Sequence, residues 1–190
     1  MKIGLFLGSF NPIHTGHLII ANHILNETKL DKIWFVVSPM NPFKVNSGLL
    51  NERVRLSLVT AAIQNDDRIE ASDIEFQLSK PSFTVNTLLF LKNAHPEHEF
   101  SIIMGSDNFR DLNKWKNYEA ITLKYKILIY LRSGFEVENK FNAHLEVLKA
   151  PILDISSTEI RQLIGEGKSI RYLVPEMVRK EIEEKGYYTK

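Results

Sequence analysis

His14 and His17 stand three residues apart with Gly16 between them, directly after Gly8-Ser9-Phe10-Asn11-Pro12. An apolar run, Ile3-Gly4-Leu5-Phe6-Leu7, precedes them, and Leu18, Ala21 and Leu25 recur at helical spacing behind them. The stretch therefore reads as a strand-to-helix turn. Gly8, Ser9 and the Asn11-Pro12 dipeptide supply the turn, and Gly16 admits a close neighbour at the first helical turn. Such a turn presents unpaired N–H groups and the positive end of a helix dipole, which suit an anion and above all a phosphate. Two imidazoles at this spacing add donors aimed at the same place. Solvated turn histidines are the plain alternative. A metal is another, but two histidines would need further ligands, and the chain has no cysteine. No residue is assigned here as a metal ligand.

Four further stretches place chemistry at the ends of predicted strands. Lys32–Val37 is a near-continuous apolar run that ends at Ser38-Pro39, after which Asn41-Pro42-Phe43-Lys44 presents a lysine from a stiffened loop. In Pro81-Ser82-Phe83-Thr84, Ser82 or Thr84 can cap a helix running through Leu88 and Leu91. Phe100–Met104 leads into Gly105-Ser106-Asp107, whose carboxylate suits ribose hydroxyls or a metal-bound phosphate, with Trp115 downstream as core or stacking platform. Last, Ile155-Ser156-Ser157-Thr158-Glu159-Ile160-Arg161 has capping-box spacing, hydroxyls and an arginine in its first turn, a set matched to polyphosphate oxygens. Arg53 and Arg55 read as structural or surface residues.

Strands alternating with amphipathic helices are what would bring these stretches together. The pattern predicts a Rossmann-like α/β fold, a doubly wound parallel sheet in a single domain over residues 1–190, with C-terminal helices at about 156–186 packing on the sheet. A chain of 190 residues with 44% hydrophobic content suffices for one core and a cleft. Net charge is +1, so a dedicated nucleic-acid or membrane-surface binder is not expected. No apolar run approaches the ~20 residues that span a bilayer. With no cysteine and no leader pattern after Met1, a cytoplasmic protein is expected. Homo-oligomerisation stays open.

His14-Thr15-Gly16-His17 resembles the signature of the nucleotidylyltransferase superfamily. Combined with the Ser-Pro…Asn-Pro-Phe-Lys loop, Pro-Ser-Phe-Thr-Val-Asn-Thr-Leu, Gly-Ser-Asp-Asn-Phe with a downstream Trp, and Ile-Ser-Ser-Thr-Glu-Ile-Arg, it is similar to bacterial nicotinate-nucleotide adenylyltransferases over nearly the whole chain. The resemblance implies that ATP, with Mg²⁺, and nicotinate mononucleotide give nicotinate adenine dinucleotide and pyrophosphate in NAD biosynthesis. It implies catalytic roles for His14, His17, Lys44 and Arg161. ATP would meet Gly8, Ser9, Phe10, Gly16 and the two histidines on one side. On the other it would meet Gly105, Asp107, Ile155, Ser157, Thr158 and Arg161. The mononucleotide would meet Asn11, Lys44, Phe83, Thr84, Asp107 and Trp115. Trp115 would stack on the pyridine, and donors near Thr84, with no acceptor nearby, would favour a carboxylate over an amide. Phe43 stands where that family has a histidine, and Asn86 where it often has an aspartate. Two rivals remain: a pantetheine-phosphate adenylyltransferase, which shares the His and Ser-Ser-Thr motifs, and a nucleotide-binding module without turnover. A class I aminoacyl-tRNA synthetase fragment is weaker, since its Lys-Met-Ser-Lys-Ser motif is missing.

Overall fold

The computed structural model describes residues 1–40, 48–151 and 153–189, and its six strands form one parallel sheet in the order β3-β2-β1-β4-β5-β6. In chain order the elements are β1 Lys2–Gly8, α1 Thr15–Glu27, β2 Lys32–Val37, α2 Glu52–Ile63, β3 Ile69–Ser72, α3 Thr84–Ala94 and β4 Glu99–Gly105. They continue with α4 Ser106–Arg110, α5 Tyr118–Lys124, β5 Lys126–Tyr130, β6 Leu145–Leu148, α6 Ser157–Gly165 and α7 Glu176–Lys185. The expected doubly wound sheet is thus present. Chain direction across the sheet reverses between β1 and β4, and ligands of such sheets bind at the carboxyl edge of that switch point.

The central strands are apolar on both sides because both faces are covered. Phe6, Phe35, Ile33 and Leu128 pack with Ala21, Ile24, Leu58, Val178 and Ile182 on one face. Ile3, Leu5, Ile102 and Ile127 pack with Leu88, Leu91, Phe109 and Ile121 on the other. α2 is capped by the Asn51 side chain, which accepts from the Arg53 N–H at 2.9 Å. α6 is capped by Ser156, which accepts from the Glu159 N–H at 3.1 Å, as the capping-box spacing predicts. α3 differs from expectation. Phe83, not Ser82 or Thr84, occupies its cap position with extended backbone and no side-chain cap bond. The polar stretch 136–144 is closed on itself, Asn139 bonding both the N–H and the carbonyl of Ala143 at 3.0 Å while Phe141 packs inward.

Arg55 is fully buried, and no carboxylate is among its hydrogen-bond acceptors. Its guanidinium donates to four carbonyls: Leu50 at 2.8 Å, Ser9 at 2.5 Å, Ser38 at 2.8 Å and Pro39 at 3.2 Å. The structural reading of this arginine holds, and its effect is to tie the ends of β1 and β2 to the start of α2. Loss of the guanidinium in Arg55→Met strands four carbonyls, so we expect a loss of about 3–5 kcal/mol. That corresponds to a melting temperature lower by roughly 6–20 °C for a domain of this size. Chemical denaturation checks it; a change below about 1 kcal/mol would mean that water replaces the guanidinium.

Candidate active site

β1 delivers the chain to the switch point, and the turn after it is held by side chains and not by a glycine hinge. Phe10 takes the left-handed conformation at φ 45 and is 3% exposed, its ring edge-on to Phe35 at 5.1 Å and to His17 at 5.1 Å. The Phe10 ring therefore supports His17 from the core, which leaves the backbone of Phe10 for the ATP contact the sequence assigns to it. Asn11 is held as well. Its amide donates to the Gly48 carbonyl at 3.0 Å, and its oxygen accepts from the Leu50 N–H at 3.2 Å and the Tyr188 hydroxyl at 2.8 Å. That side chain is engaged in the fold through its oxygen and one of its two amide hydrogens, which fixes its position at the turn.

His14 is the N-cap of α1, and its ring stacks on His17 with centroids 3.6 Å apart. The His14 N–H donates to His17 Nδ1 at 3.3 Å, which puts the ring proton of a neutral His17 on Nε2. A Cβ on Gly16 would lie 3.0 Å from His14 Nδ1, so this glycine is what admits the imidazole, as expected. Not every N–H at this terminus is available: that of Thr15 donates to the Leu173 carbonyl at 2.9 Å. His14 is 4% exposed, and burial, then the charge of Arg132, pushes its pKa down to about 4. It is a neutral donor at pH 7.

α6 closes against this turn. Ser157 Oγ donates to the Pro12 carbonyl at 2.8 Å, and Arg161 donates to the Asn11 carbonyl at 2.7 Å and to Thr158 Oγ1 at 3.3 Å. Ile155 sits beside Gly16. The histidines, Arg132, Tyr130, Asp154 and Ile155 line one shared pocket. At the end of β4, Asp107 folds back over Gly105, where a Cβ would lie 2.3 Å from its carboxylate. Asp107 Oδ1 faces Arg132 Nε at 3.9 Å, and neither atom has a hydrogen-bond partner among the described residues.

A second cavity of about 130 Å³ opens on the other side of the β1 end. That is close to the roughly 150 Å³ that accepts a benzene ring in an engineered core. Its walls include Ser9, Phe83, Thr84, Trp115, Lys116 and Tyr130. Lys116 Nζ lies 4.6 Å from the centroid of the Phe83 ring. Glu75 also lines it, 1% exposed, with Oε1 accepting from Thr87 Oγ1 at 2.7 Å and Oε2 buried without a partner. A pocket free of acceptors was expected, and Glu75 corrects that.

The structure brings His14, His17, Gly16, Gly105, Asp107, Ile155, Ser157, Thr158 and Arg161 to one edge of the sheet, with Phe83, Thr84 and Trp115 beside them. Lys44, expected from the loop after β2, lies outside the described residues. Arg132, Tyr130, Glu75 and Lys116 were not singled out. Adjacency to Trp115 signalled Lys116, and position at the carboxyl end of β5 signalled Arg132.

Comparison with known proteins agrees with this geometry. A family model described as cytidylyltransferase-like matches residues 5–163. The chain is 49% identical to a probable nicotinate-nucleotide adenylyltransferase of Cytophaga hutchinsonii, the alignment covering 100% of this chain and 99% of that one. It is also 49% identical to one of Flavobacterium johnsoniae, with 100% of both chains covered. Among solved structures, Plasmodium falciparum nicotinic acid mononucleotide adenylyltransferase complexed with NaAD shares the fold with a TM-score of 0.85 at 24% identity, covering 98% of this chain and 97% of that one.

The depressed pKa of His14 has a signed consequence. Between pH 6.5 and about 4 the unfolded chain binds a proton on this ring that the folded chain refuses. Stability therefore falls as pH drops through that window and is unaffected by this group above it. Urea unfolding at pH 7.5 and 4.5 should show wild type losing about 2 kcal/mol more than His14→Asn. Parallel curves would remove the burial argument.

Proposed function

We infer the reaction from one premise: the chain belongs to the nicotinate-nucleotide adenylyltransferase branch of the cytidylyltransferase-like family. It is a nucleotidyltransferase of NAD biosynthesis that transfers AMP from ATP to nicotinate mononucleotide, giving nicotinate adenine dinucleotide and pyrophosphate. The observation that carries this reading onto particular residues is that the two cavities share Tyr130, one holding the stacked histidines and the other Phe83, Thr84 and Trp115. Two substrates entering from the two sides meet beside His14 and His17.

In the reaction an oxygen of the mononucleotide phosphate attacks the α-phosphorus of ATP in line. The bond to the β-phosphate breaks, and pyrophosphate leaves with the electron pair. No enzyme nucleophile is required, so positioning and charge neutralisation do the catalysis. His14 and His17 donate to oxygens around the α-phosphorus. The start of α6, with Ser157, Thr158 and Arg161, receives the β- and γ-phosphates, and Lys44 is assigned to phosphate from the sequence alone. Asp107 is assigned to ribose hydroxyls, and Trp115 to stacking on the pyridine. Residues around the phosphate turn are mainly imidazoles, hydroxyls and guanidinium groups, which suit phosphate oxygens, with Asp154 and Asp107 the carboxylates nearby that could meet a hard divalent ion. Magnesium enters as the MgATP substrate.

Preference for the acid over the amide is assigned to Lys116 and the uncapped start of α3, since a pyridine carboxylate gains from an ammonium and N–H donors while an amide does not. No helix among the described residues is long and apolar enough to cross a membrane.

Pyrophosphate release should require ATP, Mg²⁺ and nicotinate mononucleotide together. Release with phosphopantetheine instead would indicate the pantetheine enzyme, and ATP binding without any release would indicate a binding module. His17→Ala should lower kcat by about 100-fold or more while leaving the melting temperature nearly unchanged; a destabilised protein with normal turnover would make the ring structural. Lys116→Met should reduce the kcat/KM ratio of nicotinate to nicotinamide mononucleotide by about tenfold, chiefly through KM. An unchanged ratio would return selectivity to the backbone donors alone.

A further inference from the structure

His95-Pro96-Glu97-His98 joins α3 to β4 at the end of the sheet away from the nucleotide site. The His98 N–H donates to the His95 carbonyl at 3.1 Å, closing a turn whose second residue, Pro96, fixes the backbone. That turn sets the two imidazoles parallel, 6° between planes and 5.5 Å between centroids. Glu97 Oε1 lies 3.2 Å from His98 Nδ1 and 3.8 Å from His95 Nδ1. One donor atom from each of the three residues falls within 4.8 Å of the others.

The two spacings to Glu97, 3.2 and 3.8 Å, bracket the separation of ligands on one ion, and the third lies within 4.8 Å. Ligands at about 2.0–2.2 Å on a tetrahedral metal stand about 3.4 Å from one another. His98 Nδ1 is buried and makes no aligned hydrogen bond, although the Glu97 oxygen is 3.2 Å away, as expected of two ligands that share a metal and not a proton. The Trp34 ring stands edge-on to both imidazoles, at 5.6 Å and 6.4 Å, and shields one side. His95 is 38% exposed and Glu97 60%, which leaves the other side open to an entering ion and a water.

We propose that His95, Glu97 and His98 bind one divalent transition-metal ion of the zinc class, with water completing the coordination. Two imidazole nitrogens and one carboxylate oxygen select zinc, nickel or cobalt over magnesium or calcium, which prefer oxygen. The site is separate from the chemistry: β4 alone, seven residues long, puts about 20 Å between it and the nucleotide edge. An ion there links the end of α3 to the start of β4, and so acts on stability.

Calorimetry with zinc chloride alone should give one saturable site on the wild-type protein, with a melting temperature that rises as zinc is added. His95→Ala, at a partly exposed position, and Glu97→Gln, at an exposed one, should each weaken binding by about tenfold or more. His98→Ala should abolish it. Magnesium-dependent turnover without zinc should be the same in all of them. His17→Ala should keep zinc binding intact, since two other histidines lie in the nucleotide site. No saturable binding by wild type, undiminished binding by the His95→Ala/His98→Ala double variant, or loss of binding in His17→Ala would each overturn the proposal.

Discussion

Most of what positions this site passes through the buried guanidinium of Arg55. A charge this deep carries a desolvation cost, offset here by four carbonyl acceptors, with no ion pair among the described residues. Those carbonyls belong to the residue after β1, the loop after β2 and the residue before the α2 cap, so the guanidinium reinforces the Ser38 N–H to Gly8 carbonyl bond at 2.9 Å and the Asn11 contacts with Gly48 and Leu50. The planar fork of arginine can satisfy all of them from one point, which a lysine could not. Ser9, one of its partners, forms wall of the ring-sized cavity, and the turn that continues from it carries His14. The placement of catalytic groups is thus a matter of backbone carbonyls held by one side chain.

The architecture was legible because its signals are local and repeated. Buried parallel strands such as Lys32–Val37 read as unbroken apolar runs, and Ser156 with Glu159 announces the start of α6 before any tertiary contact is considered. The histidine pair was legible for the same reason, since strand, turn and helix follow within a dozen residues. What stayed hidden depends on distant partners. Asn11 looks like a turn residue with a polar side chain to spare, and only its contacts with Gly48, Leu50 and Tyr188 show how that side chain is held. Glu75 sits between isoleucine and phenylalanine in a stretch that reads as a connector, and its carboxylate reaches the cavity only because Thr87 meets it there. Phe83 takes a cap position that propensity assigns to its hydroxyl-bearing neighbours.

The two cavities divide the work by physical character. One is narrow and rich in donors, with a histidine kept neutral by burial, so it can donate to phosphate oxygens without carrying a charge that must be desolvated. The other is walled by Phe83, Trp115 and Tyr130 together with Ser9, Thr84 and Lys116 and is large enough for an aromatic ring. Tyr130, at the end of β5, belongs to both. A rigid ring at that position fixes the distance between two bound molecules, and effective concentration at the reacting atoms follows from that distance.

Besides Arg55, the turn that carries the histidines is fastened by residues far along the chain. Asn11 is held by Tyr188, Thr15 by Leu173 and the Tyr172 carbonyl, and Pro12 and Asn11 by Ser157 and Arg161. These contacts span 145 to 177 residues of sequence. Closing loops of that length is entropically slow, so such contacts form late. During synthesis the segment that will do the chemistry emerges well over a hundred residues before these fastenings, and a nascent chain that has not yet reached residues 157–188 carries the histidines without the geometry that makes them useful.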